Sequence, residues 1–133
     1  MRKVKEAEPL ELAGLYAALS DRTRLRLLNM MAGGEVCVCF FVEVLDQPQP
    51  TISRHLAYLR NAGVVSDRRE GKWIHYRINM PKDPVMRRAL ESALAAIRSE
   101  GSMQRDLKKL EAACCSPRAS ETLRRAPKPR TGR

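Results

Sequence analysis

No apolar run in the 133 residues approaches the about 18 that a membrane-spanning helix needs, so no span is expected. Residues 1–9 are charged, and they lack the roughly 7–15-residue hydrophobic stretch of a secretory signal. A cytoplasmic location follows as the expectation. No Gly-rich phosphate-binding loop, no Cys-x-x-Cys pair and no cysteine in an oxyanion-loop motif is present. An enzyme is therefore not expected. Histidine is scarce as well: His55 and His75 are the only two, both in the middle of the chain.

What is abundant is positive charge. Lys and Arg total 25 against 15 Asp and Glu, a net charge of +10. Such a surplus favours a polyanionic partner, and nucleic acid comes first. Half of it falls on Ser116 to Arg133, where Arg118, Arg124, Arg125, Lys128, Arg130 and Arg133 face one acid, Glu121. That stretch has almost no apolar content to offset its chain entropy. It reads as a disordered basic tail, residues 116–133, behind a single domain, residues 1–115.

Within the domain, apolar periodicity predicts mainly helix. Leu12, Leu15, Tyr16 and Leu19 mark a first helix over Pro9 to Ala18. Ser20 or Asp21 can cap a second helix, which carries Leu25, Leu27, Leu28 and Met31 and stops at Gly33-Gly34. A short third helix is expected from Cys37 to Leu45. The breakers Asp46-Gln47-Pro48-Gln49 form a turn. A fourth helix follows from Pro50 to Ala62, closed by Gly63. Val64 to Arg69 and Lys72 to Ile78 read as a hairpin joined at Glu70-Gly71. Beyond Pro84 a helical stripe of Met86, Ala89, Leu90, Ala93, Leu94 and Ile97 is broken or bent at Gly101, and Met103, Leu107, Leu110 and Cys114 continue it. A helix this long needs cover for its apolar face, from a second copy of the chain or from its own first helix.

Two short helices, a tight turn and a basic hairpin make an α+β fold of the winged helix-turn-helix kind, with homodimerisation expected through the terminal helices. At about 100° per residue, Ile52, Leu56 and Leu59 of the fourth helix face the core. Thr51, Arg54 and Tyr58 fall on the other side, with Ser53 and His55 on the flanks and Gln49 just before. A cation that forks onto guanine or phosphate, flanked by hydroxyls, is what a DNA-reading helix needs. The hairpin adds Arg68, Arg69 and Lys72 around Gly71. His55 can equally pack within the domain, and Trp73 and His75 are expected as packing residues. From Gln47 to Ile78 six basic residues face two acidic ones.

Four ordered motifs carry a family likeness: Ser20–Asp21–Arg22–Thr23–Arg24–Leu25, Glu35–Val36–Cys37–Val38–Cys39, Pro50–Thr51–Ile52–Ser53–Arg54–His55–Leu56 and Gly71–Lys72–Trp73–Ile74–His75–Tyr76–Arg77. Over roughly Leu10 to Ile78 the chain resembles the ArsR family of metalloregulatory repressors, most densely its arsenic-responsive branch. The resemblance implies a homodimeric transcriptional repressor on inverted-repeat operator DNA. It needs no cofactor to bind DNA and is released when As(III) or Sb(III), the inducer, binds cysteine thiolates. The best-known members of that branch carry Cys-x-Cys-x-x-Cys at the third helix. Here the third position is Val42, so Cys37 and Cys39 alone match. Cys114 and Cys115, at the end of the last helix, are a second candidate pair. Thiolates suit soft ions, and a helix N-terminus favours the thiolate at Cys37 and Cys39. Thiol redox sensing and zinc sensing on the same scaffold are the alternatives. Zinc is disfavoured because the C-terminal helix has no histidine for it.

Overall fold

Helix α1 spans Leu12–Leu19 and α2 spans Arg22–Met31, and the side chain of Asp21 accepts the backbone N–H of Arg24 at 3.0 Å to cap α2. In this computed structural model residues 10–115 and 125–129 are described, the side chain of Cys115 excepted. Of the expected first helix, Pro9 lies outside them, and α1 begins only at Leu12 because Glu11 is extended. Leu15 and Ala18 of α1 are buried, whereas Leu12 is 53% and Tyr16 63% exposed. The stripe read from the sequence is therefore half outside the core.

The chain then enters a two-residue strand, β1 (Val36–Cys37), before α3 (Val38–Leu45). Here the structure corrects the sequence reading. Cys37 is extended, with φ −73° and ψ 143°, and is the residue before the helix rather than its first turn. The apolar run of α3 buries Phe40, Phe41, Val44 and Leu45. Asp46 ends α3 in the left-handed region at φ 51°, and its N–H reaches the carbonyl of Val42 at 3.1 Å. A left-handed cap of this kind satisfies an orphan carbonyl. Gln47 ties the turn to α2 through Thr23 Oγ1 at 3.1 Å.

Helix α4 runs Gln49–Asn61 with Pro50 in its first turn. Ile52, Leu56 and Leu59 are at most 1% exposed, as the periodicity required. Strands β2 (Val65–Glu70) and β3 (Trp73–Ile78) pair antiparallel, Glu70 opposite Trp73. The hairpin thus turns at Gly71-Lys72, one residue later than expected. Gly71 has φ +57°, a sign that favours glycine in the first position of a two-residue loop. β1 joins the other edge of β3, giving the sheet order β1-β3-β2. The expected two-stranded hairpin is therefore a three-stranded sheet.

Helix α5 (Pro84–Arg98) is capped by Asp83, whose carboxylate accepts the N–H of Val85. α6 (Gly101–Cys115) starts at the predicted glycine break. α6 folds back on α2 and α3 of its own chain, so part of the cover expected from a second copy is supplied internally. Arg26 holds Asp106 through two hydrogen bonds of 2.7 and 3.0 Å, and Asn29 donates to the carbonyl of Met103 at 2.9 Å. Asp106 is buried; a bidentate pair in such a place fixes the docking angle of α6 more than it adds net stability. Of the expected tail, Ala126 is buried against the core, and residues 116–124 and 130–133 lie outside the described ones. Among the described residues no helix is long and apolar enough to cross a membrane.

Candidate nucleic-acid interface and thiol pair

With its apolar residues fixed in the core, α4 turns Ser53, Arg54 and Tyr58 outward, and Gln49 is exposed at its start. Thr51 and His55 are half-buried. Arg54 reaches back along the helix, its Nη2 3.4 Å from Thr51 Oγ1. His55 is turned toward α2, with Nδ1 3.7 Å from Asp21 Oδ2. Tyr58 carries the Arg24 guanidinium 4.2 Å from its ring centroid. Arg24 is held there by the carbonyls of Ala17 and Ala18, each at 2.9 Å. This clamp between α2 and α4 was not foreseen: the sequence reading noticed Arg24 only as part of a motif. Cation–π stacking of this kind fixes the aromatic ring as well as the cation.

The wing cations divide in two. Arg69 and Lys72 are exposed and, among the described residues, have no carboxylate partner within an ion-pair distance. Lys72 Nζ lies 4.9 Å from the Trp73 ring centroid. Arg68 is different. Its guanidinium is bound by both oxygens of Glu35, with Nε to Oε2 at 3.1 Å, and by Glu70 at 3.3 Å. Of the three cations expected at the wing, Arg68 is thus already paired with Glu35 and Glu70. His75, at 3% exposed, sits beside the same carboxylates. Its Nδ1 is 3.8 Å from Glu35 and its Nε2 3.5 Å from Glu70, both long for a hydrogen bond.

His75 also pairs with Cys37 across β1 and β3. Cys37 is buried, Cys39 is half-buried, and their sulfurs are 3.4 Å apart, with the Cys39 thiol donating. That hydrogen bond is the main reason the Cys37 thiol is lowered to about 6; burial opposes it, and backbone N–H groups and His75 assist. The Cys39 thiol is pushed well up, because its proton is held in the hydrogen bond to Cys37, and burial and the neighbouring thiolate act in the same direction. Two sulfur–metal bonds of about 2.3 Å at a tetrahedral angle span about 3.8 Å, somewhat more than the hydrogen-bonded separation of 3.4 Å. We expect the ultraviolet absorbance of one thiolate to appear with a midpoint near pH 6 and to vanish in Cys37→Ala. Titration of every cysteine near the ordinary value of about 8.5 would contradict this geometry.

The pair opens onto a cavity of about 400 Å³. One wall is Cys37, Val38, Cys39, Val42 and Glu43; the second is Gln49, Ser53 and Leu56 of α4; the third is Lys72 of the hairpin turn with Trp73, Ile74 and Tyr76 of β3. Thiols, reading helix and wing therefore share one space. Cys114 is half-buried on α6 and packs on the core, and the side chain of Cys115 lies outside the described residues.

A family model described as "Bacterial regulatory protein, arsR family" matches residues 21–67. The chain is 50% identical over 66 residues to the arsenical resistance operon repressor of Escherichia coli (strain K12), covering 49% of this chain and 56% of that protein. It is 46% identical over 67 residues to the uncharacterized HTH-type transcriptional regulator MJ1325 of Methanocaldococcus jannaschii, covering 50% of this chain and 75% of that one.

The chain belongs to the arsR family.

This is a family of regulatory proteins, not of enzymes. Among solved structures, reduced HlyU from Vibrio cholerae matches with TM-score 0.56 and 26% identity, over 66% of this chain and 88% of that one. The fold is the winged helix of these regulators. The chain spans about half the length of the first curated relatives it matches, at 56, 57 and 52%. The arsR match runs from the cap of α2 into β2. It contains Cys37, Cys39 and the whole of α4, and it leaves out the wing tip, α6 and Cys114.

Proposed function

We propose that the chain is a transcriptional repressor that grips operator DNA and releases it when trivalent arsenic or antimony, inorganic or organic, binds cysteine thiolates. The observation that carries this reading is the sulfur pair at 3.4 Å, which lines the same cavity as Gln49 and Ser53 of α4. An ion that bridges the two sulfurs acts at the joint between β1 and α3, and α3 leads through one turn into the reading helix. Relatives named as arsenical resistance operon repressors support the choice of ion.

In this reading α4 lies in a major groove. Arg54 reads a base edge, Gln49, Thr51, Ser53 and Tyr58 supply further contacts, and His55 positions the helix through Asp21. Arg69 and Lys72 take phosphates on the wing, and Arg68 chiefly braces it. The operator is an inverted repeat because the protein is a homodimer. Leu12 and Tyr16, one turn apart and more than half exposed on α1, with Val85 at 61% exposed on α5, are the surface that a second copy covers. DNA binding needs no cofactor. Residues 1–115 form the working domain, followed by the basic segment 116–133. Cys114 and Cys115 form a second thiol site at the end of α6. The protein acts in the reducing cytoplasm, where the thiols persist.

The test is fluorescence anisotropy of a labelled promoter fragment upstream of the protein's own gene. Excess arsenite should release it. Unchanged affinity in excess arsenite sinks the sensing claim and leaves DNA binding standing. The low proton affinity of Cys37 also favours a redox reading, in which peroxide releases DNA and arsenite does not.

A further inference from the structure

A helix seated on one apolar stripe can still roll about it. Helix α4 is seated in this way, on Ile52, Leu56 and Leu59. Polar contacts from the start of α2 oppose the roll. Thr23 Oγ1 accepts from Gln47 at 3.1 Å, Asp21 faces His55 at 3.7 Å, and the Arg24 guanidinium lies 4.2 Å from the Tyr58 ring centroid. Asp21 and Arg24 are three residues apart, as are His55 and Tyr58, so the two helices meet on successive rungs. Arg24 is the rung that is itself anchored. It is half-buried, and its Nε and Nη2 donate at 2.9 Å to the carbonyls of Ala18 and Ala17 in the last turn of α1. Carbonyls at a helix end lack full partners within the helix, and a guanidinium there also meets the negative end of the helix dipole. One planar group thus joins three helices: α1 by its fork, α2 by its backbone and α4 by its face.

Building on the DNA-reading role of α4 proposed above, we infer that Arg24 is a positioning residue for sequence readout, which touches no base and fixes the roll of α4 by stacking on Tyr58. Tyr58 lies one helical turn from Arg54 on the same face, so the roll that Arg24 fixes is the roll that aims Arg54. Base-edge contacts tolerate errors of only about 0.5 Å and 10–20°. Phosphate contacts from exposed, flexible cations such as Arg69 and Lys72 tolerate more. Loosening the clamp therefore lowers affinity for the operator and spares affinity for unrelated DNA. Charge alone does not replace the arginine, because a lysine has neither the fork nor the flat face. The anchor also reaches the dimer. Leu12 and Tyr16, the surface proposed for a second copy, stand on α1, so Arg24 ties the reading helix to the element that places the other half of the dimer.

The test is anisotropy titration of the labelled promoter fragment and of a scrambled duplex of equal length, at several salt concentrations, with full-length Arg24→Ala, Arg24→Lys and Tyr58→Leu. The ratio of the two affinities is expected to fall by about 2- to 30-fold in each, the span of a cation–π contact converted to affinity. Arg24→Ala and Arg24→Lys should keep both the affinity for the scrambled duplex and the salt slope. In a Tyr58→Leu background Arg24→Ala should cost nothing further, because the contact is already gone. Tyr58 is 44% exposed, so Tyr58→Leu threatens the fold little and carries the test together with Arg24→Lys if Arg24→Ala folds poorly. Equal losses on both duplexes, with the salt slope lower by about one, would make Arg24 a phosphate contact and overturn the inference. Additive losses in the double variant, or a full ratio kept by Arg24→Lys, would overturn it too. So would a ratio unchanged in both Arg24 variants while Arg54→Ala lowers it. If Arg54→Ala also leaves the ratio unchanged, the reading role of α4 falls, and this inference with it.

Discussion

Arg54→Ala is expected to weaken operator binding by between about fivefold and a hundredfold, the range for loss of one forked contact to a base edge. Arg68→Ala is expected to cost far less. The two side chains are equal in formal charge and both are exposed, yet they stand in different fields. Among the described residues Arg54 shares its guanidinium only with a hydroxyl, Thr51 Oγ1 at 3.4 Å. Arg68 is bound by Glu35 and Glu70, and a phosphate would have to displace carboxylates already in place. The pair Arg69→Ala and Lys72→Ala should behave in a third way. Loss of phosphate contacts weakens all sequences alike and lowers the slope of log affinity against log salt by about one for each contact removed. Anisotropy titrations on operator and scrambled duplexes at several salt concentrations separate these outcomes. A large, sequence-independent loss for Arg68→Ala would reverse the assignment of the wing.

That contrast also marks what could be read from the chain in one dimension. The cationic count from Gln47 to Ile78 is local and was legible, as was the face of α4, because Ile52, Leu56 and Leu59 repeat with the helical period and all three are buried. The pairing of Arg68 with Glu35 spans 33 residues and has no periodic signature. Strand β1 escaped for a similar reason. Two residues show no alternation, and their place is set by Tyr76 and His75 on a distant strand. The docking of α6 rests on Arg26 and Asp106, 80 residues apart. The thiol pair is the most instructive case. Two cysteines at i and i+2 of one helix would point about 200° apart and could not share an ion. They meet because Cys37 is extended and Cys39 is helical, a boundary that the apolar run around them conceals. The sequence supplied the two thiols, and long-range strand pairing supplied their convergence.

Removal of either sulfur of that pair should uncouple sensing from DNA binding. With the inducer saturating, the operator dissociation constant of the intact chain is expected to rise by about 5- to 150-fold, the usual span of coupling between two sites. In Cys37→Ala or Cys39→Ala the ratio should fall to one, while affinity without inducer stays close to that of the intact chain. Alanine is preferred to serine at position 37, because Cys37 is only 2% exposed and a hydroxyl there would be buried without an assured partner. Linkage requires the converse as well: operator DNA must weaken inducer binding by the same factor, which titration in the presence and absence of duplex measures directly. The matched control is Cys114→Ser with Cys115→Ser. It should leave the ratio intact if the joint between β1 and α3 is the switch, since α6 packs mainly on α2 and α3. If instead this control abolishes release while Cys37→Ala does not, the inducer acts at the end of α6 and reaches DNA through the packing of that helix on α2 and α3.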